Sequence, residues 1–247
     1  MRSLAEINKE SNLIVGLIPA RWYSTRFEGK PLAEICGIPM IKRVYDRACM
    51  AKTLDTVVVL TDDERISNFC SKHEMRCIVI EDHCRTGTDR CSSALSLLDG
   101  KYFVNIQGDE PLINPEAIDK LVEELIVMDE HLDIGIVNAY TDIDQSYKET
   151  DKNVVKVAFD SKGCALYYSR LPITEHQQMG LYGFQRKRLE QFRFFDPGPC
   201  ELKESVEMFR YLENGREIKM VHVEDEGLSV DTPEDLKLVE LKIKSYN

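Results

Sequence analysis

Two short stretches constrain the fold more than anything else in the chain: Leu13-Ile-Val-Gly-Leu-Ile18 and Thr56-Val-Val-Val-Leu60. Each is continuously apolar and rich in β-branched residues. A strand with one solvated face alternates apolar and polar side chains; a strand covered by helices on both faces need not. The two stretches therefore predict central strands of a parallel sheet. Between them, Pro39–Lys52 sets Met40, Val44 and Ala48 on one helical stripe. Asp62-Asp-Glu64 opens a second helix. Arg76–Ile80 and Tyr102–Gln107 read as further strands, Thr86–Leu98 and Pro115–Met128 as helices. Strand and helix alternate, so the first half predicts an α/β fold with a doubly wound, mostly parallel sheet.

The rhythm then changes. Ile134–Ala139, Val154–Asp160, Tyr167–Arg170 and Gly180–Phe184 read as strands with few helices between them. Antiparallel pairing is expected there. Helices come next at Arg186–Phe192 and Glu201–Leu212, then a late strand at Ile218–Val223, and a last helix at Pro233–Lys244 capped by Thr232 or Asp231. No Gly-, Ser- or Pro-rich linker interrupts the chain. One domain over residues 1–247 is expected, with roughly 134–200 as an antiparallel excursion.

Charge restricts the partners. The net charge of −11 makes a broad nucleic-acid or anionic-membrane surface a poor expectation. Residues 1–120 hold 16 basic and 18 acidic side chains, residues 121–247 hold 16 and 25, so a basic cluster for an anion is expected in the first half. No apolar run approaches the roughly 20 residues of a membrane span. The polar opening MRSLAEINKESN lacks a signal peptide's apolar stretch, and no pair among the eight cysteines has C-x-x-C spacing. The expectation is a cytoplasmic protein with reduced thiols.

Three segments carry chemistry. Pro19-Ala-Arg-Trp-Tyr-Ser-Thr-Arg-Phe-Glu-Gly-Lys-Pro-Leu32 directly succeeds the first strand. Ligands of parallel α/β sheets sit beyond the carboxyl ends of strands. Arg21, Arg26 and Lys30 place three cations there, with hydroxyls from Ser24 and Thr25 and an open backbone at Gly29. That suits a polyphosphate; a solvated basic loop is the plainer alternative. Asn105-Ile-Gln-Gly-Asp-Glu-Pro111 ends another buried strand on the same edge, where Asp109 is placed as a Mg²⁺ ligand and Gln107 as a reader of base or sugar. Asp231, in Val230-Asp-Thr-Pro-Glu-Asp-Leu236, is either a helix cap or the second carboxylate of that metal site. No nucleophile system is visible: His73, His83, His131, His176 and His222 stand without motifs. Metal-assisted displacement on phosphorus is expected rather than covalent catalysis.

These residues carry a resemblance. PARWYSTRFEGKPL resembles the signature P-A-R-x-x-S-x-R-x-P-G-K-P-L of the 3-deoxy-manno-octulosonate (Kdo) cytidylyltransferases. TDDERI, TGTDR, NIQGDEPLI, NVVKV, YYSRLPI, GLYGF, ELKESVEMFR and VDTPEDL then occur in the family's order, over roughly residues 13–240. The ordered set is far more specific than any one motif. The resemblance implies a sheet of the nucleotide-diphospho-sugar transferase type, a homodimer, and transfer of CMP from CTP to a 3-deoxy-ulosonic acid with release of pyrophosphate. It implies that Ala20, Arg21, Ser24, Lys30, Arg90 and Gln107 bind the nucleotide, with Arg21, Lys30 and Asp109 in the chemistry. Asp109 and Asp231 would hold Mg²⁺, and Arg170, Gln178, Tyr182 and Glu207 would face the sugar acid.

The chain departs from the pattern in four places. Glu28 replaces a Pro, so a carboxylate must point away from the phosphate cations or pair with one. The segment between Pro172 and Gly180 is short. Gln177-Gln178 replaces a basic residue and His, for which His176 is a candidate substitute, and Met208 replaces a Gln. The nucleotide half is kept in pattern and the acceptor half is not. The expected acceptor is therefore Kdo or a Kdo-like acid, with unmodified Kdo used less well than a variant acid such as one carrying an amino group; ordinary Kdo, with His176 in the vacated place, is the plainer alternative. A different acidic acceptor, or a non-catalytic nucleotide-binding relative, is the alternative.

Overall fold

The computed structural model describes residues 13–245 except residues 25, 82, 133 and 144–149. In chain order the first elements are β1 (Ile14–Ala20), β2 (Glu34–Ile35), β3 (Ile38–Pro39), α1 (Met40–Ala48), β4 (Thr56–Thr61) and α2 (Glu64–Lys72). The next are β5 (Cys77–Val79), α3 (Gly87–Ala94), β6 (Tyr102–Ile106) and α4 (Pro115–Leu132). Then come β7 (Ile136–Asp142), β8 (Lys156–Phe159), β9 (Ala165–Ser169), β10 (His176–Gln185) and α5 (Arg186–Phe192). α6 (Pro199–Glu204), α7 (Phe209–Glu213), β11 (Lys219–His222) and α8 (Pro233–Ser245) complete the chain.

Among the described residues nine strands form one sheet, ordered β11-β7-β10-β6-β1-β4-β5, with β8 and β9 joined at the side of β10. β1, β4, β5 and β6 are mutually parallel where they pair, as is β11 with β7. β10 runs antiparallel between β6 and β7. The expected α/β architecture, mostly parallel with an antiparallel part, is what the chain adopts.

The continuous apolarity of β1 has a direct cause. Ile18 and Ala20 pack into one core cluster with Val57, Val59, Val104 and Ile106. Val15 and Leu17, one residue out of phase, pack into a second cluster with Val58, Leu60 and Phe103. Successive side chains of a strand point to opposite faces, so a strand covered on both must be apolar throughout.

Several boundaries differ from expectation. β10 begins at His176, four residues before the expected Gly180, because Gln177 and Gln178 pair with Thr141 and Tyr140. The helix expected over Glu201–Leu212 is two helices, broken at Ser205, whose φ of 55° is left-handed. The short hairpin β2–β3 was not expected from the sequence. Among the described residues no helix is long and apolar enough to cross a membrane.

One irregularity of β10 shapes the site. Its register against β7 shifts between Gln178 and Tyr182. Backbone polar groups at such a bulge need new partners. The Asn138 amide donates to the Met179 and Leu181 carbonyls at 3.0 and 3.1 Å. Glu110 Oε1 accepts the Gly180 N–H at 2.7 Å, and the Gln107 N–H donates to the Gly180 carbonyl at 3.0 Å. The loop after β6 thus clamps the bulge from its own end.

Candidate active site

β1 and β6 are parallel neighbours, so the two motif loops beyond them open on one edge of the sheet. The first loop closes on itself: Gly29, at φ 70°, donates its N–H to the Trp22 carbonyl at 3.0 Å. Lys30 then starts a 3₁₀ turn, Lys30–Leu32. Its Nζ lies 2.8 Å from Asp109 Oδ2 and 3.5 Å from Asp231 Oδ1. Arg26 Nη2 reaches the same Asp231 oxygen at 2.9 Å.

Asp231 is brought there by the backbone. The Val230 N–H donates to the Asp109 carbonyl at 2.8 Å, tying the segment before α8 to the loop after β6. The cap of α8 is Thr232, whose Oγ accepts the Asp235 N–H at 3.3 Å while Asp235 Oδ2 takes the Thr232 N–H at 2.8 Å. Capping is therefore done by Thr232, and the Asp231 carboxylate faces the cations.

A cavity of about 220 Å³ lies over these groups, lined by Ala20, Arg21, Ser24, Lys30, Gln107 and Asp109 among others. Arg90 forms part of its wall but is 4 % exposed, with Nη2 on Asp62 at 2.6 Å; its charge is already compensated. Thr25 lies outside the described residues. Glu28 pairs with none of Arg21, Arg26 and Lys30: its Oε1 accepts the Trp22 indole N–H at 3.2 Å.

The same wall was only partly anticipated. Arg85, Thr86 and Gly87, at the start of α3, also line the cavity. Thr86 and Asp89 form a reciprocal capping box, the pattern that T-G-T-D spells in sequence. A Cβ on Gly87 would stand 2.9 Å from Gln107 Nε2, so a side chain there would have to displace that amide.

A second cavity of about 630 Å³ shares Arg21, Gln107, Asp109 and Asp231 with the first and extends to Arg170, Gln178, Tyr182 and Glu207. The four residues expected to face a sugar acid are therefore brought together. The Arg170 guanidinium donates to the Glu204 carbonyl at 2.9 Å and the Lys152 carbonyl at 2.8 Å. Neutral carbonyls orient the fork without cancelling its charge. Gln178 Nε2 donates to the Tyr182 hydroxyl at 2.9 Å. Glu207 accepts from the Thr88 N–H at 3.0 Å and from Gln107 Nε2 at 3.1 Å, joining the two cavities.

Of the sequence departures, Met208 leads away from the second cavity, whereas Gln177 and Gln178 line it. Met208 is fully buried in the second core cluster. Gln177 is 7 % exposed and its amide donates to the Gly227 carbonyl at 2.8 Å, bracing the loop before Asp231. His176 stacks on Phe159 and holds Asp142 Oδ1 at 3.0 Å; it is not among the residues lining the second cavity and does not substitute for the family's His.

Burial dominates the electrostatics of the deeper acids. It raises the Glu207 carboxyl above the ordinary range against the opposing Thr88 hydrogen bond. It raises Glu110 well above that range, helped by Asp225 and Asp109, and raises the Tyr182 phenol, helped by Glu207. Among the described residues no group of three or more His, Cys, Asp or Glu is set to hold a metal. Two carboxylates that already converge on one ammonium do fit Mg²⁺, which takes one or two protein carboxylates and completes its shell with phosphate oxygens and water.

The cytidylyltransferase family model matches residues 15–218. The chain belongs to the Kdo cytidylyltransferase family. It is 39% identical to the mitochondrial 3-deoxy-manno-octulosonate cytidylyltransferase of Arabidopsis thaliana, covering 99% of this chain and 88% of the relative. It is 38% identical to the 3-deoxy-manno-octulosonate cytidylyltransferase of Chlamydia abortus, covering 92% of each. Among solved structures, a CMP:2-keto-3-deoxy-manno-octonic acid synthetase complexed with CTP superposes with TM-score 0.87 at 30% identity, covering 96% of this chain and all of that one. A glucose-1-phosphate thymidylyltransferase from Bacillus anthracis shares the fold, at TM-score 0.72 and 13% identity.

The raised Glu207 carboxyl has a consequence for stability. A folded-state pKa above the unfolded one stabilises most below the unfolded value, and that contribution is lost as pH rises through the folded value. Glu207→Gln cannot ionise. Its melting temperature is expected to exceed the parent's at pH 8, with the difference shrinking toward pH ~4, near the unperturbed carboxylate pKa. A thermal-shift series across pH checks this; a constant difference, or one growing toward low pH, contradicts it.

Proposed function

We infer that this cytidylyltransferase couples CTP to Kdo, giving CMP-Kdo and pyrophosphate. One observation carries the reading: a cation-lined cavity with two converging carboxylates opens directly into a larger cavity whose oriented Arg170 suits a sugar carboxylate. The likeness to a synthetase complexed with CTP, over nearly the full length of both chains, supports the nucleotide. The curated relatives' names support the acceptor.

In this reading the anomeric hydroxyl oxygen of the acid attacks the α-phosphorus of CTP. A new P–O bond forms, the bond to the β-phosphate oxygen breaks, pyrophosphate leaves, and the hydroxyl proton is released. Arg21 and Lys30 hold the phosphates and stabilise the leaving charge, with Ser24 and the Ala20 backbone beside them. Arg90 shapes the nucleotide wall. Arg170, whose Nε and Nη1 are already held by carbonyls, offers Nη2 and its charge to the acceptor carboxylate, while Gln178, Tyr182 and Glu207 receive hydroxyls. Asp109 and Asp231 would hold Mg²⁺, which when bound neutralises charge developing at the phosphates. With those carboxylates engaged by Mg²⁺, Lys30 would be left to the phosphates.

The excursion around residues 134–200 completes the reading. Leu166, Leu171 and Ile173 stand exposed there at 62, 62 and 42 %. They are proposed to be covered in a homodimer. Light scattering should give twice the 28.4 kDa chain mass, and a monomer at assay concentration would contradict it.

Pyrophosphate release from each of four nucleoside triphosphates, with Kdo and with amino-substituted and nine-carbon ulosonic acids, tests the function directly. CTP with Kdo is expected to give the highest kcat/KM. Lys30→Ala and Arg21→Ala are expected to lower it by about 2–4 kcal/mol, the loss typical of a partner to a desolvated charge. No release with any acid overturns the reading; a better acid than Kdo moves the acceptor within the same class.

A further inference from the structure

The phosphate loop has a support that its cations do not explain. Trp22 comes immediately after Arg21, and Gly29 precedes Lys30, so one clamp lies between the two phosphate-binding cations. The indole contributes to that clamp through three contacts. Its N–H donates to Glu28 at 3.2 Å. Its ring packs so tightly on Gly29 that a Cβ there would stand 3.0 Å from Trp22 Cζ2. The Arg65 guanidinium lies over the ring, 3.7 Å from its centroid.

Arg65 is itself fixed. Its Nε and Nη2 hold both oxygens of Asp63, at 2.9 and 2.7 Å. Asp63 also caps α2 by accepting the Arg65 N–H at 2.9 Å. A rigid helix end therefore grips a planar cation, and the cation grips the loop. Glu28 and Trp22 occur together where the family signature has Pro and an unspecified residue, so the indole–carboxylate hydrogen bond is a feature of this chain.

We propose that the Trp22–Arg65 stack, with Glu28, positions Arg21 and Lys30 for the CTP triphosphate, and that Trp22 reports nucleotide binding. The proposal rests on the cytidylyl-transfer reading. These residues touch no substrate; they set the loop that does. Interactions with the triphosphate are made both before and in the transition state, so loosening the loop raises KM for CTP more than it lowers kcat. Trp22, Glu28 and Arg65 do not line the acceptor cavity, which the loop reaches through Arg21 and Arg26, so KM for Kdo is expected to change less than KM for CTP.

Trp22 is the only Trp among the 247 residues, which makes the test optical as well as kinetic. In the wild-type protein, tryptophan emission is expected to change on CTP addition and to saturate with the calorimetric binding isotherm. Arg65 is half exposed on a helix surface, so Arg65→Ala should fold. It is expected to raise KM for CTP about 3- to 30-fold, the range a cation–π contact allows, with kcat within about twofold. Glu28→Gln keeps an oxygen that accepts the indole N–H and should retain wild-type KM, whereas Glu28→Ala should raise it.

Wild-type turnover with an unchanged KM for CTP in both Arg65→Ala and Glu28→Ala overturns the clamp alone. So does a lowered melting temperature without a change in KM, which marks a merely structural role. Absence of both CTP binding and turnover in the wild-type protein removes the cytidylyl-transfer reading, and the clamp falls with it.

Discussion

The candidate site depends on one main-chain hydrogen bond, from the Val230 N–H to the Asp109 carbonyl. It joins the end of β6 to the segment before α8 and brings together two carboxylates from opposite halves of the sequence. Without it Asp231 would be an acidic residue at a helix start. With it, Asp109 and Asp231 share the Lys30 ammonium at 2.8 and 3.5 Å. Like charges held this close need a cation between them, and Lys30 and Arg26 supply it. In the proposed reading a triphosphate and a hard metal ion would each take over a partner that the protein now provides itself.

The acceptor side is built by different physics. Its shape comes from the β10 bulge, whose backbone groups are taken by Asn138, Glu110 and Gln107. A buried Arg210 links the cap of α3 to α6 through Asp89 and Glu201, so the nucleotide wall and the acceptor wall share one charged strut. Such a strut adds less to stability than to orientation, since burying its charges offsets much of their attraction.

The nucleotide half was legible because its signals are local. β1 must be apolar on both faces, and the binding loop extends directly from its carboxyl end. Arg21, Ser24, Lys30, Gln107 and Asp109 could be named from position alone. The acceptor half was less legible because its features depend on long-range pairing. Nothing near Gln178 announces a register shift set by Asn138 and Glu110, and Ser205 breaks a helix without Gly or Pro. Thr232 rather than Asp231 caps α8, a choice between adjacent residues that the capping pattern alone leaves open. Met208 is a departure and His176 a candidate substitute, yet one lies in the core and the other beside Asp142, outside the lining of the acceptor cavity.

The central claim is that Asp109 and Asp231 act as one unit on a shared cation. A double-mutant cycle on CTP turnover, with Asp109→Asn, Asp231→Asn and the pair, measured across a Mg²⁺ titration, tests it most directly. Each single variant is expected to lose most turnover, and the pair to lose little more than the worse single, with a coupling of about 1–3 kcal/mol. Near-normal turnover in either single variant, or two losses that simply add, would contradict a shared site.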